Sequence, residues 1–272
     1  MRLLELKERK EISLSILKEL NDVCVKHHIP YFLAYGTLIG AVRHNGFIPW
    51  DDDIDIWVPI SYMNDLLMYL EDESKYEVIN HLKDEKWPRA FSKLSDPNTI
   101  IIDNDDIDSS IKRGVAVDIF PLYGCDDISN HIKKLEMQKN MIVKIFDTYN
   151  SKRKKEYNLI NIFKLWYIKM NVLLGRDSFY WRKKLFHSEL QMSSIKFVGC
   201  TISPYREKDV HLSKDFATVE KVMFEGYYFP APNGKENVLK NLYGDFMKLP
   251  LEKERVSNHN VKAYFLEEKN ED

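Results

Sequence analysis

Cysteine is scarce in this chain: Cys24, Cys125 and Cys200 lie far apart, and none belongs to a CxxC pair. That spacing excludes a disulfide framework or a thiolate zinc site. The eight histidines contain neither an HxxxH pair nor HExxH, so zinc hydrolysis lacks its ligands. GxxxxGK[ST], GxGxxG and the GxSxG elbow are also missing, which removes the P-loop, dinucleotide and acyl-transfer readings. No stretch of about 18 uncharged apolar residues occurs, so no membrane-spanning helix is expected. Met1 to Lys10 interleaves charge with leucine and has no apolar leader core. An excess of one charge is missing too: the formal net charge of −2 gives no preference for nucleic acid. These absences describe a reduced, cytoplasmic protein with no nucleic-acid partner.

What remains is globular. The chain has 272 residues, 44% hydrophobic and 12% aromatic, enough for one large domain or a core with an added subdomain. Ten glycines and ten prolines argue against a fibrous or low-complexity chain. Leu17, Leu20, Val23 and Cys24 recur at helical spacing, and that helix ends before Pro30. Residues 31–35 read as a short buried strand, Gly36-Thr37 as a turn, and 38–42 as a brief helix. Residues 54–58 alternate as a strand does, 61–73 look helical, and further strands are expected at 99–103 and 114–120, the latter bounded by Pro121. Strands separated by helical segments predict an α/β or α+β core.

Residues 131–200 differ in character. They hold 15 Lys and Arg against five Asp and Glu, a balance of +10 that leaves −12 for the remainder of the chain. Eleven aromatic residues are interleaved, and Ile160, Phe163, Trp166, Tyr167 and Met170 follow a helical spacing. Two readings compete here. In one, Lys152–Lys155 and Arg182–Lys184 beside Trp166, Tyr167, Phe179 and Trp181 lie on anionic lipid headgroups. In the other, which is preferred, the aromatics pack inward and the charges are solvated.

The chemistry concentrates in Trp50-Asp-Asp-Asp-Ile-Asp-Ile56. Four carboxylates in five positions repel one another, and placing them beside a buried strand is costly without a cation. On a strand Asp53 and Asp55 share a face and can hold a hard divalent ion such as Mg²⁺ (or Mn²⁺). Asp118, alone among apolar neighbours in Val115-Ala-Val-Asp-Ile-Phe120, is the expected third ligand. A solvated acidic loop is the rival reading, weakened by Trp50, Ile54, Ile56, Trp57 and Val58, which call for burial. An EF-hand fails, since its sixth position is Ile56 and its twelfth Tyr62. Gly36-Thr37 at a strand-to-helix turn offers N–H groups and a hydroxyl to phosphate. Arg43, His44 and Lys93 are further phosphate candidates, each with a plain surface or salt-bridge alternative.

Tyr35-Gly-Thr-Leu-Ile-Gly-Ala-Val-Arg-His-Asn-Gly-Phe-Ile-Pro-Trp-Asp-Asp-Asp-Ile-Asp-Ile56 resembles the signature of the LicD family, the phosphorylcholine transferases of bacterial surface polysaccharides, to which fukutin-type sugar-phosphate transferases are related. Lys93–Asn98, Gly114–Leu122, and Phe224–Gly226 through Pro230–Pro232 to Tyr243–Asp245 resemble the same family. The likeness runs from residue 31 to about 250 and is least diagnostic over 125–200. It implies a nucleotidyltransferase-like fold of the DNA polymerase β type, a mixed sheet with surrounding helices. Residues 1–130 would be the catalytic core, 131–200 a basic aromatic helical insertion, and 201–272 the remainder of the catalytic domain. It further implies Mg²⁺ (or Mn²⁺) at Asp53, Asp55 and Asp118, with Gly36, Thr37, Arg43, His44 and Lys93 toward nucleotide and phosphate. The implied donor is CDP-choline or another CDP-alcohol such as CDP-glycerol or CDP-ribitol, and the acceptor a cell-surface glycan, commonly carried on membrane lipid. Asp51 and Asp52 then shape the loop and its field. Trp50 either stacks on substrate or packs. Asp52, Tyr243, Asp245, Arg255 and His259 are candidates for the pocket wall. A DxD glycosyltransferase competes, but it needs a longer Rossmann-like half than the 50 or so residues before the motif. A binding module that has lost its chemistry competes too, against the joint presence of all three aspartates.

Overall fold

The computed structural model describes the whole chain except Pro88, Thr201 and residues 104–112, 151–158, 191–195, 256–260 and 267–272. His259, Lys152–Lys155 and the side chain of Ile160 lie outside the described residues.

After a two-residue strand β1 (Arg2–Leu3), the chain enters the 21-residue helix α1 (Leu6–Lys26). Its Glu8 carboxylate accepts the Glu5 backbone N–H at 2.9 Å, satisfying a first-turn donor. Ile16, Leu17, Leu20, Val23 and Cys24 form its buried stripe. Strand β2 (Phe32–Leu33) leads into α2 (Tyr35–His44), which begins three residues earlier than its apolar pattern suggests. Gly36 and Thr37 are thus the helix's first turn rather than a loop.

Strand β3 (Ile54–Pro59) runs directly into α3 (Ile60–Glu73), and the short strands β4 (Glu77–Ile79), β5 (Ser92–Ser95) and β6 (Thr99–Asp103) follow. Strand β7 spans Ala116–Cys125. Helices α4 (Ile128–Asn150), α5 (Leu159–Leu173) and α6 (Ser178–Leu190) come next, then β8 (Phe197–Gly199) and β9 (Val210–Leu212). The hairpin β10 (Val219–Phe224) and β11 (Tyr227–Pro232), helix α7 (Lys235–Tyr243) and strand β12 (Val261–Phe265) complete the order.

The main sheet runs β2-β3-β7-β5-β4, with β8 and then β9 added beyond the far half of β7. Only β3 and β7 are parallel; their neighbours are antiparallel. A separate sheet pairs β12 between β1 and β6. Strand β7 continues through Pro121 instead of stopping there. Pairing with β5 ends at Ile119 and pairing with β8 begins at Tyr123, so Pro121 falls in the gap between partners, where a missing N–H disrupts no ladder on that side.

Period-two alternation gives the sheet two different faces. Ile54, Ile56 and Val58 of β3, Val117 and Ile119 of β7 and Leu94 of β5 are fully buried, and α1 and α3 pack on these strands. Asp55 and Trp57, Asp118 and Phe120, and Lys93 alternate with them and share the other face. That face carries the candidate site.

The aromatic stripe of the basic segment does not pack inward as expected. Trp181 is buried and Phe179 half-buried, but Phe163, Trp166 and Tyr167 of α5 are exposed, Phe163 at 72%. The residues of α5 that pack are Ile168 and Val172, with Leu165 half-buried beside them. Arg182 belongs to no basic surface either: it is buried, and its guanidinium donates to the carbonyls of His81, Asp84 and Glu85 at 3.2, 2.8 and 3.0 Å.

Candidate active site

Parallel register sets Asp55 of β3 opposite Asp118 of β7, and antiparallel register sets Lys93 of β5 opposite Asp118. Three adjacent strands therefore present two carboxylates and an ammonium in one row. Lys93 Nζ donates to Asp118 Oδ1 at 2.5 Å. Asp53 stands one residue before β3, because ladder pairing with β7 begins only at Ile54. The motif thus has one acid on the strand and one at its lip.

Aromatic rings surround this row. Tyr35 makes edge contacts with Trp57 and Phe120 at ring separations of 4.8 and 5.3 Å, and Phe91 stacks on Phe120 at 4.4 Å. Loss of solvation in that setting pushes the Asp55 carboxyl well above the usual carboxylate range. The neighbouring charges of Asp53, Asp118 and Asp51 push the same way, and Lys93 opposes them. This energetic tension is what a bound cation relieves, and an all-oxygen donor set suits a hard divalent ion. Among the described residues, however, no three His, Cys, Asp or Glu side chains are already gathered as ligands. Asp118 is turned to Lys93 instead.

The loop of residues 45–53 is braced from two sides. Lys10 Nζ of α1 donates to the carbonyls of Ile48 and Pro49 at 3.1 and 3.0 Å, and Arg9 pairs with the nearly buried Asp52. From the C-terminal third, the Glu225 carboxylate accepts the Phe47 N–H at 3.0 Å. Glu225 and Gly226 form the two-residue turn of the β10–β11 hairpin, both with positive φ (51° and 81°), the geometry that matches strand twist. Two glycines of α2 permit close approach. A Cβ on Gly36 would stand 2.7 Å from Asp51 Oδ2, and one on Gly40 would stand 2.4 Å from the Gly46 carbonyl oxygen. Thr37 is buried, and its hydroxyl oxygen accepts the Asp55 N–H at 2.9 Å, fixing β3 to α2.

The other phosphate candidates stand apart from the carboxylate row. Arg43 donates to the Phe246 carbonyl at 2.6 Å and to His44 Nε2 at 2.9 Å, and burial with Arg43 nearby lowers the His44 pKa. Trp50 lies under Arg255, whose guanidinium is 5.9 Å from the ring centre and also bonds the Pro250 carbonyl. Asp245 is exposed in a turn. Tyr243 is closer to the chemistry: it packs edge-on to Tyr205, and burial followed by nearby Tyr205, Asp55 and Asp209 raises its pKa.

Several site residues carry no recognisable sequence signal. Asp209 is fully buried; its Oδ2 accepts the Tyr35 hydroxyl at 2.6 Å, and Oδ1 faces His211 Nε2 at 3.2 Å. Tyr205 stacks on Tyr35. Arg9, Lys10 and Glu225 belong with them as supports. Only for Glu225 did a flanking motif mark the position.

A cavity of about 540 Å³ opens beside Asp53 and Asp118. Arg9, Arg89, Lys93, Arg113 and Lys139 line it, together with Trp87, Phe91 and Phe120. Lys139 reaches it from α4 while donating to the Ile202 carbonyl at 2.8 Å. Five cations with aromatic walls suit an anionic ligand that carries a ring.

Acids matched across parallel strands, a helix beginning against them and a cationic cavity alongside define a nucleotidyltransferase-like domain. Residues 28–173 match the model of the LicD/FKTN/FKRP nucleotidyltransferase domain, and the chain belongs to that family. It is 29% identical to the lipopolysaccharide cholinephosphotransferase LicD of Haemophilus influenzae over 98% of this chain and 100% of that relative. A shorter match, 46% identical over 52 residues, covers 19% of this chain and 17% of an uncharacterised protein of Rickettsia typhi.

Proposed function

We propose that this protein transfers phosphocholine, or a related phospho-alcohol, from a CDP-activated donor to a hydroxyl of a cell-surface glycan, releasing CMP. The observation that carries the reading is the Asp55–Asp118–Lys93 row, whose Asp118 and Lys93 line a cationic cavity together with Asp53. Near-full-length similarity to a lipopolysaccharide cholinephosphotransferase supports the choice of group transferred and of a lipid-borne glycan as acceptor. The strand arrangement is read as that of a polymerase-β-type catalytic centre.

Asp53, Asp55 and Asp118 would hold Mg²⁺ (or Mn²⁺), which supplies charge neutralisation for the pyrophosphate and an aligned in-line displacement. Lys93, Arg9 and the other cavity cations hold the diphosphate of the donor, and release of Lys93 from Asp118 toward phosphate frees that carboxylate. The acceptor oxygen forms a bond to the alcohol-bearing phosphorus, the bond from that phosphorus to the CMP oxygen breaks, and the hydroxyl proton passes to a carboxylate of the row. Phe91, Trp87 and Phe120 exclude water that would otherwise compete as acceptor.

The test is CMP release from CDP-choline, CDP-glycerol and CDP-ribitol in the presence of Mg²⁺ and a glycan acceptor. CMP formed from one of them, and lost in Asp53→Ala, is expected. No CMP from any donor would remove the reading, and sugar transfer from a UDP-sugar would replace it with glycosyl transfer.

A further inference from the structure

Helix α5 is apolar on two sides, and among the described residues only one of them is covered. Ile168 and Val172 pack inward, and α5 rests on α4, whose Lys139, Ile142 and Val143 line the cavity. Ile162, Phe163, Trp166, Tyr167, Leu173 and Leu174 are exposed, Trp166 at 62% and Leu173 at 78%. At the turn of an α-helix these six positions fall within an arc of roughly 140°. Lys169 borders that arc on one edge and Lys164 on the other. No acidic residue occurs from Leu159 to Gly175. So large an apolar face does not stay in water without a function.

We infer that this face of α5 is a membrane-surface anchor that seats the protein on anionic lipid, with the apolar arc among the acyl chains and Lys164 and Lys169 at the headgroups. Three features select lipid over a protein partner. Lysines edge the arc without any acidic counterpart, which complements an anionic surface. Trp166 and Tyr167 are the ring types that settle at a headgroup boundary. Long lysine stems reach outward from a buried face while their ammonium groups stay wet. The helix lies on the bilayer and does not cross it: no helix among the described residues is long and apolar enough to span. An acceptor glycan borne on lipid, as proposed above, would be met at the same surface. The anchor is testable without that reaction.

The experiment is sedimentation of the full chain with vesicles of phosphatidylcholine alone or rich in phosphatidylglycerol, with no donor or acceptor present. Binding to the anionic vesicles, weakened by salt, is expected, with a blue shift of tryptophan fluorescence that Trp166→Phe removes. Lys164→Gln and Lys169→Gln should each weaken binding about fivefold. The pair Phe163→Ser with Trp166→Ser should weaken it by about tenfold or more while leaving the melting temperature in place, since both rings face outward. No sedimentation with anionic vesicles, or binding indifferent to the double substitution, overturns the inference. So does a dimer in solution that the double substitution dissociates while vesicles bind neither form, which would give the face to a second copy of the chain. CMP release remains readable in any of these cases with a soluble glycan.

Discussion

Asp55 is a side chain held in the fold at an energetic cost. Burial and three neighbouring carboxylates raise its pKa, so ionising it works against the folded state at neutral pH. For a carboxyl raised in this way the sign is definite: stability falls as pH rises from the unfolded value toward the folded one. Asp55→Asn is therefore expected to raise the melting temperature in metal-free buffer while cutting transfer on the order of a thousandfold. Mg²⁺ should raise the melting temperature of the parent protein and leave that of the variant unmoved. Differential scanning fluorimetry with and without Mg²⁺ reads both, and a variant that melts lower without metal would contradict the account. The placement of Asp55 and Asp118 on neighbouring strands is legible from the sequence because each stands among strand-forming apolar residues, whereas Asp53 falls just before its strand. Asp209, equally buried and bound to Tyr35, stands in Arg-Glu-Lys-Asp209, where nothing distinguishes it from a solvated charge.

Among the elements, α2 and the loop after it depend on close approach. Gly40 allows the Gly46 carbonyl to sit where a side chain would be, and the loop then carries Trp50 to Asp53 toward β3. In Gly40→Ala the new methyl meets backbone rather than a flexible side chain, an overpacking cost of about 1–3 kcal/mol. The melting temperature should drop by roughly 3–8 °C, and CMP release should fall more than global unfolding explains. A thermal melt with a rate measured well below the transition separates the two effects. The bracing by Lys10, Arg9 and Glu225 was invisible beforehand, because it joins residues from the first helix and from a hairpin near position 225 to one loop. The hairpin itself was legible only as a motif, and its turn geometry explains why Glu225-Gly226 occupies it.

At the scale of the whole molecule, acid should loosen the join between the β4–β5 region and the α4–α6 helices. His81 is buried with its Nδ1 against Ser92 Oγ at 2.7 Å, and burial with Arg182 nearby pushes its pKa down to about 3. In the unfolded chain it titrates near its ordinary value of about 6.5. The unfolded state thus binds the extra proton first, and stability is lost as pH falls below that value. His131, lowered to about 4 by burial, acts in the same direction. Urea melts should show the protein less stable at pH 5 than at pH 7, by about 2 kcal/mol from His81 alone. His81→Asn should flatten that slope; an equal slope in the variant would assign it elsewhere. The sequence by itself determined the mixed α/β architecture, the strands that carry the acids and the family to which the chain belongs. It did so because period-two burial and a long contiguous motif are local properties. Tertiary structure alone decided that Lys93 faces Asp118, since register between strands far apart in the chain sets that contact. It also decided which side of α5 is left open. A helix that is apolar on two sides carries no mark of which one its neighbours will cover, and here they cover Ile168 and Val172 and leave Phe163 and Trp166 to the outside.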